Sequence, residues 1–437
     1  MALWIPTALV MILGSRGVSL WLQGGSPGNS NGSPSLLDEL FFAFVIGGSF
    51  IIASSRGVKW AKLLAANIPL VLVYVFFVLS ISWSGDPLAS TKRIVKDFGL
   101  LFVIAVIFSE KEPLEAVRAV FIRAASVLIP LSVVFNHYFP NIARQFAKNG
   151  DVSLVGVTEQ KNTLGEMVFV FCTILFWDFL ERNPRGVKRF WAKFPWDQLI
   201  LFVMGLFILY QSQSKTSLLC LLICAVLSAR SGWFASKMIS NVAFFVSFST
   251  PFLLFFSQQF SAIIEPIVES LGRNMTFTGR TNIWNQITLH TVNPIIGYGY
   301  WNFWKSPGGL AISDVVQWDV PNAHNGYLDI YLDGGFVALT LLCCYIFAYG
   351  RRMIKQSQTG RFHLVRLGFF SAAIVHNLSE SSLFRMGLLW FATLLMTVDF
   401  PRMKQVVKKL PRTYHGAADA SPRRVPLPEA VHRRAFR

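Results

Sequence analysis

Apolar segments long enough to enter a lipid bilayer follow one another along most of the chain. Of its 437 residues, 53% are hydrophobic and 14% are charged, whereas a soluble domain carries about 25% charged residues. A soluble core could not bury so many apolar segments, so the bilayer must act as their solvent. The sequence therefore predicts an all-α, polytopic integral membrane protein with about 12 transmembrane helices. The predicted spans lie near 3–22, 38–54, 63–82, 98–109, 118–136, 164–181, 197–211, 217–229, 238–256, 326–349, 364–379 and 383–400.

Lysine and arginine residues predict the orientation of these spans. With both termini in the cytoplasm, the cytoplasmic segments hold 28 of the 40 Lys and Arg residues, in keeping with the positive-inside rule. This topology places a large external loop, 257–325, between helices 9 and 10. It also separates a membrane domain, 1–400, from a basic cytoplasmic tail, 401–437, which we expect to be disordered. The net charge of +17 then indicates contact with anionic membrane lipids rather than with nucleic acid.

The stretch 279–328 interrupts the apolar pattern with polar and aromatic residues, among them Arg280, Trp284 and His324. Such a loop between two spans is typical of a protein that works at the bilayer surface, so we expect this loop to contribute the functional site. Two cations adjoin other spans: Lys161 at the start of the sixth, and Lys215 in the turn QSQSKTS. A lone lysine at a helix end often extends to the interface. Lys215 is either such a residue or part of a phosphate site formed with hydroxyls and helix amides.

Two predicted spans and the cysteines complete the pattern. Spans 98–109 and 217–229 are shorter than the roughly 20 residues that a perpendicular helix needs, so they must include flanking polar residues or stop at a polar site.

All five cysteines lie in apolar spans without a Cys-x-x-Cys pair, which indicates packing rather than a metal site. The segment Gly297-Tyr298-Gly299 lacks the strand–turn–helix setting of a phosphate-binding loop and is interpreted as a turn.

Several short motifs occur in the order typical of one family. The long loop contains G-R-x-x-x-W, then P-x-x-G-x-G, then H-N-x-x-L, and earlier segments contain K-N-x-L-G and S-x-S-K-T, with S-E-S between the last two spans. Together they resemble the bacterial O-antigen polymerase and ligase superfamily, and TGRTNIW…GYGYWNFW…NAHNGYL is most similar to exopolysaccharide polymerases of the succinoglycan type. The topological resemblance covers the whole chain, whereas the motifs cover only short parts of it. They begin at Gly279, Pro294, His324, Lys161, Ser212 and Ser379.

The resemblance implies a polysaccharide polymerase in the bacterial inner membrane with its active site facing the periplasm. Its donor would be a growing glycan on a polyprenyl-diphosphate carrier, and its acceptor the next lipid-linked repeat unit. Neither a metal nor any other cofactor is expected, because the diphosphate already activates the donor sugar. The implied partners are the lipid-linked oligosaccharide, membrane lipids, and a chain-length regulator and flippase of the same pathway.

The residues of the loop suit this chemistry. Arg280 would stabilise the departing diphosphate, and His324 would accept the proton of the acceptor hydroxyl, because a histidine titrates near neutral pH. The alternatives are a structural arginine paired with a carboxylate and a capping or packing histidine. Lys215 and Lys161 would help to bind the diphosphate. The family's ligases have arginine at the position that matches Lys215, and lysine binds phosphate without a bidentate fork.

Four further residues are candidates for contact with sugar or with the membrane interface: Trp284, Asn325, Tyr298 and Trp301. Aromatic rings at this depth serve equally as sugar-stacking platforms or as an interfacial belt.

Three alternative functions remain at this point. A ligase that transfers finished glycan to another acceptor would use the same residues. A non-catalytic transporter would ordinarily show inverted repeats and charges near the bilayer midplane, and neither is visible here. A purely structural membrane subunit is the third. The sequence does not specify the sugar, the linkage, the acceptor or the oligomeric state.

Overall fold

The computed structural model describes residues 2–23, 35–146, 150, 152–182, 196–229, 241, 245, 280–289, 292–357 and 360–401, and this part of the chain is mostly helical. A short antiparallel sheet pairs β1 (Arg144–Phe146) with β2 (Val152–Leu154). Numbered in chain order, the helices are α1 Trp4–Leu13, α2 Val18–Gln23, α3 Leu36–Ser55, α4 Trp60–Ala66, α5 Ile68–Ser80, α6 Pro87–Phe108, α7 Pro113–Tyr138, α8 Pro140–Ala143, α9 Lys161–Arg182, α10 Trp196–Ser212, α11 Lys215–Ala229, α12 Arg280–Leu289, α13 Pro307–Val316, α14 Gly326–Gln356, α15 Arg361–His376 and α16 Leu388–Thr397.

Four of the described helices, α3, α7, α9 and α14, are long and apolar enough to cross a membrane. A fifth span results if the bent pair α4–α5 crosses as one unit. This architecture supports the predicted all-α membrane fold, whereas the count of twelve spans is not confirmed. Most of the predicted span 238–256, the loop segment 257–279 and the tail from 402 onward lie outside the described residues.

Two predicted spans differ in detail from the observed helices. The short span 98–109 is the second half of α6, which begins at Pro87 and reaches 22 residues by including flanking polar residues. The span 63–82 bends by 99° between α4 and α5. At the bend, Asn67 Nδ2 donates to Leu63 O at 2.8 Å and to Asp399 O at 3.1 Å. Pro69 lacks the N–H that would continue the helical hydrogen bonding, so the chain turns there.

Helix α14 is broken at Gly335, and the segment that begins at Pro294 docks at the break. Gly335 has φ +60° and ψ −157°, which glycine adopts far more readily than other residues. The amide of Tyr298 donates to Leu332 O at 2.9 Å, and the amide of Phe336 donates to Pro294 O at 2.8 Å. The P-x-x-G-x-G segment therefore forms the predicted turn, and this turn fills the break in α14.

Several helix ends meet at one end of the bundle. Helices α9, α11 and α14 begin there, and α15 ends there. Phe169 of α9 stacks on Phe369 of α15, with ring centroids 5.1 Å apart. A Cβ at Gly165 would lie 2.5 Å from Ser214 Cβ, so only glycine lets the starts of α9 and α11 approach so closely. The motifs K-N-x-L-G and S-x-S-K-T are thereby neighbours in space.

Candidate active site

One carboxylate, that of Glu380, connects three segments that are distant in sequence. Its Oε1 accepts hydrogen bonds from Asn162 Nδ2 and from Arg280 Nη2, both at 2.6 Å. Its Oε2 lies 3.2 Å from His324 Nδ1. Arg280 also donates through Nη1 to Ser379 O at 2.6 Å. Because Asn162 lies in the first turn of α9, Arg280 begins α12 and His324 precedes α14, the fold brings both predicted catalytic residues to one acid.

Burial and hydrogen bonding act in opposite directions on Glu380. Burial by itself raises the pKa of the carboxyl, but the hydrogen bond from His324 and the charge of Arg280 outweigh it, so the pKa lies below its ordinary value of 4.5. The group is therefore ionised at neutral pH. A carboxylate can only accept hydrogen bonds, so the contact with His324 requires a proton on Nδ1. In the neutral imidazole, Nε2 then carries the lone pair.

The backbone at His324 adopts a left-handed conformation with φ +50°, which is uncommon for a residue with a side chain. Asn322 Oδ1 accepts from the His324 amide at 2.9 Å. Asn325 caps α14 by accepting from two amides of the next turn at 3.0 and 3.1 Å, and its Nδ2 donates to Leu378 O at 3.0 Å. Asn325 is thus a buried residue that joins the start of α14 to the segment after α15.

Two aromatic side chains adjoin His324. Trp284, half-buried on α12, donates through Nε1 to the carbonyl of the residue before His324 at 2.8 Å. The ring of Trp318 lies 6.0 Å from the imidazole, tilted by 39°, and is 43% exposed. The site therefore has an aromatic wall, of which Trp284 was expected and Trp318 was not.

Tyr298 and Trp301 lie beside the start of α6. The guanidinium groups of Arg93 and Arg385 lie 5.4 and 5.0 Å from the Trp301 ring. A Cβ placed on Gly85 would lie 3.4 Å from the Tyr298 ring. Trp301 packs against the main apolar core, whereas Tyr298 packs against the same apolar cluster as Trp284. Their position favours a packing role for the loop that fills the α14 break.

Lys161 and Lys215 are the first residues of α9 and α11. Each is followed directly by a residue that contacts the Ser379–Glu380 segment, which we call the Glu380 region. Asn162 donates to Glu380 at 2.6 Å, and Thr216 Oγ1 lies 2.9 Å from Ser379 Oγ. Within the described part of the chain, neither lysine Nζ has an ion-pair or hydrogen-bond partner. Two cations at two helix N-termini, where backbone amides are unpaired, form an electropositive border to the site.

A buried polar layer lies behind Glu380. His376 Nδ1 is 3.0 Å from Ser382 Oγ, which donates to Glu166 Oε1 at 3.2 Å. His376 Nε2 is 3.9 Å from the same oxygen of Glu166. The layer links α9 to the end of α15, so it fixes the segment that carries Glu380.

Sequence reasoning did not assign a role to Glu380 or Glu166, although the S-E-S motif contains Glu380. One signal was available: Glu380 is the only acidic residue between Arg361 and Val398. An isolated acid among apolar spans is costly to retain unless it is paired or functional. Its partners are far away in sequence, so the motif alone could not identify them.

Comparison with known proteins agrees with the predicted family. Residues 200–343 match the sequence profile of the O-antigen ligase family, and this match includes Lys215, Arg280 and His324. The chain is also 24% identical, over 284 residues, to the exopolysaccharide production protein ExoQ of Rhizobium meliloti (strain 1021). The predicted resemblance to the O-antigen polymerase and ligase superfamily is confirmed. The chain is thus similar both to the O-antigen ligase family and to an exopolysaccharide production protein. The second match covers 61% of this chain and 61% of ExoQ, less than two thirds of either. It leaves the choice between polymerase and ligase open.

Proposed function

We propose that the chain is a polysaccharide polymerase that transfers a growing glycan from a polyprenyl-diphosphate carrier to the next lipid-linked repeat unit. The observation that carries this proposal is the meeting of Arg280 and His324 on the Glu380 carboxylate. In the reaction, the bond between the donor's anomeric carbon and a diphosphate oxygen breaks, and a bond to the acceptor oxygen forms. The site must therefore remove the acceptor's proton and stabilise the negative charge of the departing diphosphate.

His324 is the proposed base. Glu380 holds the proton on Nδ1, so Nε2 is the nitrogen that takes the proton of the acceptor hydroxyl. The ionised carboxylate then stabilises the imidazolium, as the acid does in hydrolase triads. The ring of Trp318 lies beside the His324 imidazole, and Trp284 donates a hydrogen bond to the backbone carbonyl just before His324. A sugar face can stack on an aromatic ring in this position.

Arg280, Lys215 and Lys161 are the proposed diphosphate ligands. The contacts of Arg280 to Ser379 and Glu380 use two of its five N–H donors. Lys215 and Lys161 add positive charge at the starts of two helices, where N–H groups favour an anion. The diphosphate activates the donor, so the proposed enzyme is a glycosyltransferase without a metal or other cofactor.

The membrane setting belongs to the same proposal. The positive-inside count places both termini in the cytoplasm and the Glu380 region at the periplasmic face of the inner membrane. The membrane domain is 1–400, the external loop 257–325 contributes Arg280 and His324, and 401–437 is a cytoplasmic tail. A flippase that delivers the lipid-linked unit and a chain-length regulator are the proposed partners.

A ligase is the second candidate, because the profile that matches residues 200–343 is that of O-antigen ligases. Lys215 argues for the polymerase, since the family's ligases have arginine at the matching position. A non-catalytic transporter has no need for a base oriented by a carboxylate.

Deleting the gene in its host and sizing the glycan distinguishes the candidates. A polymerase predicts loss of long polymer, with single repeat units left on the carrier, and recovery with the unaltered gene but not with His324→Ala or Arg280→Ala. The matched control is His137→Ala, which removes an exposed histidine at the end of α7 and should restore polymer. Full-length polymer that stays on its carrier would identify a ligase instead. Full activity of both site variants would favour transport.

A further inference from the structure

Asp329, in the first turn of α14, has a carboxylate that binds three different segments. It is 1% exposed. Oδ1 accepts from Trp304 Nε1 at 2.7 Å, and both oxygens lie 3.1 Å from the Ala323 amide. Oδ2 also accepts from the hydroxyl of Ser381. All of these donors are neutral groups, so the contacts resemble the hydrogen-bond shell of a buried anion.

Two of these donors are sequence neighbours of the proposed catalytic pair. Ala323 directly precedes His324, and Ser381 directly follows Glu380. The peptide groups on either side of Ala323 are held from opposite directions, because its N–H donates to Asp329 and its carbonyl accepts from Trp284 Nε1 at 2.8 Å. These contacts leave little freedom for the left-handed backbone of His324.

We propose that Asp329 is a positioning residue that sets the distance between His324 Nδ1 and the Glu380 carboxylate. The proposal rests on the proposed function, because it assigns a task to the same pair. The Asp329 carboxylate accepts both from the amide of the residue before His324 and from the hydroxyl of the residue after Glu380. One rigid group thereby ties both catalytic residues to the start of α14.

The ordinary alternative is that Asp329 only stabilises the N-terminus of α14, as acidic residues in a first turn commonly do. The hydrogen bonds argue for more than this. The cap of α14 is already supplied by Asn325, which accepts from two amides, and the carboxylate of Asp329 points to other segments. An asparagine at 329 has one acceptor oxygen with two lone pairs, so it cannot accept from Trp304, the Ala323 amide and Ser381 together, and its NH₂ must face one of these donors.

The experiment compares Asp329→Asn with a matched control, Asp38→Asn, in full-length protein reconstituted in liposomes. Asp38 is also an acid in the first turn of a helix, and it accepts from Ser19. The substrate is a purified polyprenyl-diphosphate-linked repeat unit. We expect Asp329→Asn to lower kcat about 100-fold, the loss typical of a misplacement of about 1 Å, with KM for the donor within threefold and a shifted pH–rate profile. Asp38→Asn should keep kcat within threefold.

Two milder variants keep the proposal testable if Asp329→Asn does not fold. Ser381→Ala and Trp304→Phe each remove one donor, and the former should lower kcat more because it frees the Glu380 side. Normal kcat and an unchanged pH–rate profile in Asp329→Asn, or in Ser381→Ala where Asp329→Asn does not fold, would overturn the positioning role. So would a rise in KM alone.

Failure of the proposed function has a different signature. His324→Ala would then extend the repeat unit as fast as the unaltered protein, or the unaltered protein would not extend it. Inactive His324→Ala together with fully active Asp329→Asn would refute only the positioning role.

Discussion

Replacing Glu380 by glutamine tests how the site orients its base. The carboxylate accepts on both oxygens: Oε1 from Asn162 and Arg280 at 2.6 Å, and Oε2 from His324 Nδ1 at 3.2 Å. A glutamine has only one acceptor oxygen. If that oxygen faces Arg280, the glutamine NH₂ faces Nδ1, and His324 must move its proton to Nε2 to accept. The nitrogen proposed as the base then has no lone pair.

The opposite orientation of the glutamine is less favourable. Its NH₂ would face the N–H donors of Arg280 and Asn162, which would then lack an acceptor in a site where the Arg280 and Glu380 side chains are 19% and 11% exposed. A buried donor left without an acceptor costs about 1–3 kcal/mol, and more when the donor is charged. The first orientation should therefore dominate, and the wrong tautomer of the base should persist.

The expected loss in kcat for Glu380→Gln is about 10²- to 10⁴-fold, the upper value being that of the corresponding Asp→Asn change in a serine-protease triad. This range corresponds to about 3–5 kcal/mol of activation free energy. The assay is extension of a purified lipid-diphosphate-linked repeat unit in liposomes, with product length read on a gel. Glu380→Asp is the matched control, because it keeps the charge and should lose less. A kcat within threefold of the unaltered protein in Glu380→Gln would refute the tautomer argument.

Three further predictions concern the loop, the diphosphate and pH. Gly297→Ala should destabilise the protein by about 1–3 kcal/mol, because φ is +66° and the new Cβ would lie 2.4 Å from a backbone nitrogen of α14. Thermal melting in detergent measures this loss of stability. The control Gly47→Ala, which has open space around the new Cβ, should not lower the melting temperature. Lys215→Ala should raise KM for the donor about tenfold by losing one charge-assisted contact. Lys215→Arg and the control Lys305→Ala, which changes an exposed lysine, should each keep KM close to that of the unaltered protein. An unchanged KM in Lys215→Ala would show that Lys215 does not bind the diphosphate. The folded-state pKa of Glu380 lies below 4.5, so its stabilising contribution is complete above that pH and is lost as pH falls through the lower value. The difference in melting temperature between the unaltered protein and Glu380→Gln should therefore be constant near pH 7 and close in strong acid, and a difference that disappears already near pH 6 would contradict the depressed pKa.

Hydropathy predicts the class of fold because each apolar helix is encoded by adjacent residues. It does not predict where helices break, because the causes are distant in sequence. The bend at Asn67 depends on a hydrogen bond to the carbonyl of Asp399, and the break at Gly335 depends on a turn that begins at Pro294. Neither the bend nor the break is visible in the hydropathy, because the apolar pattern continues through both positions.

The candidate site shows the same limit. Arg280 and His324 were predicted because their side-chain chemistry is unusual in an apolar chain and suits phosphate and proton transfer. Their meeting on Glu380 depends on packing between α9, α12, α14 and the end of α15, which no local pattern encodes. Asn325 illustrates the converse: its motif predicted a sugar or interface contact, and the structure places it as a buried helix cap.

The most direct test of the account is extension of a lipid-diphosphate-linked repeat unit by this protein alone. The purified chain is reconstituted in liposomes with synthetic polyprenyl-diphosphate repeat unit and no other protein, nucleotide or added divalent metal. The account predicts a ladder of products longer by one repeat unit each, present with the unaltered protein and absent with His324→Ala. Substrate that remains a single repeat unit, or an equal ladder from His324→Ala, would contradict the central claim that the Glu380 region is a glycosyl-transfer site.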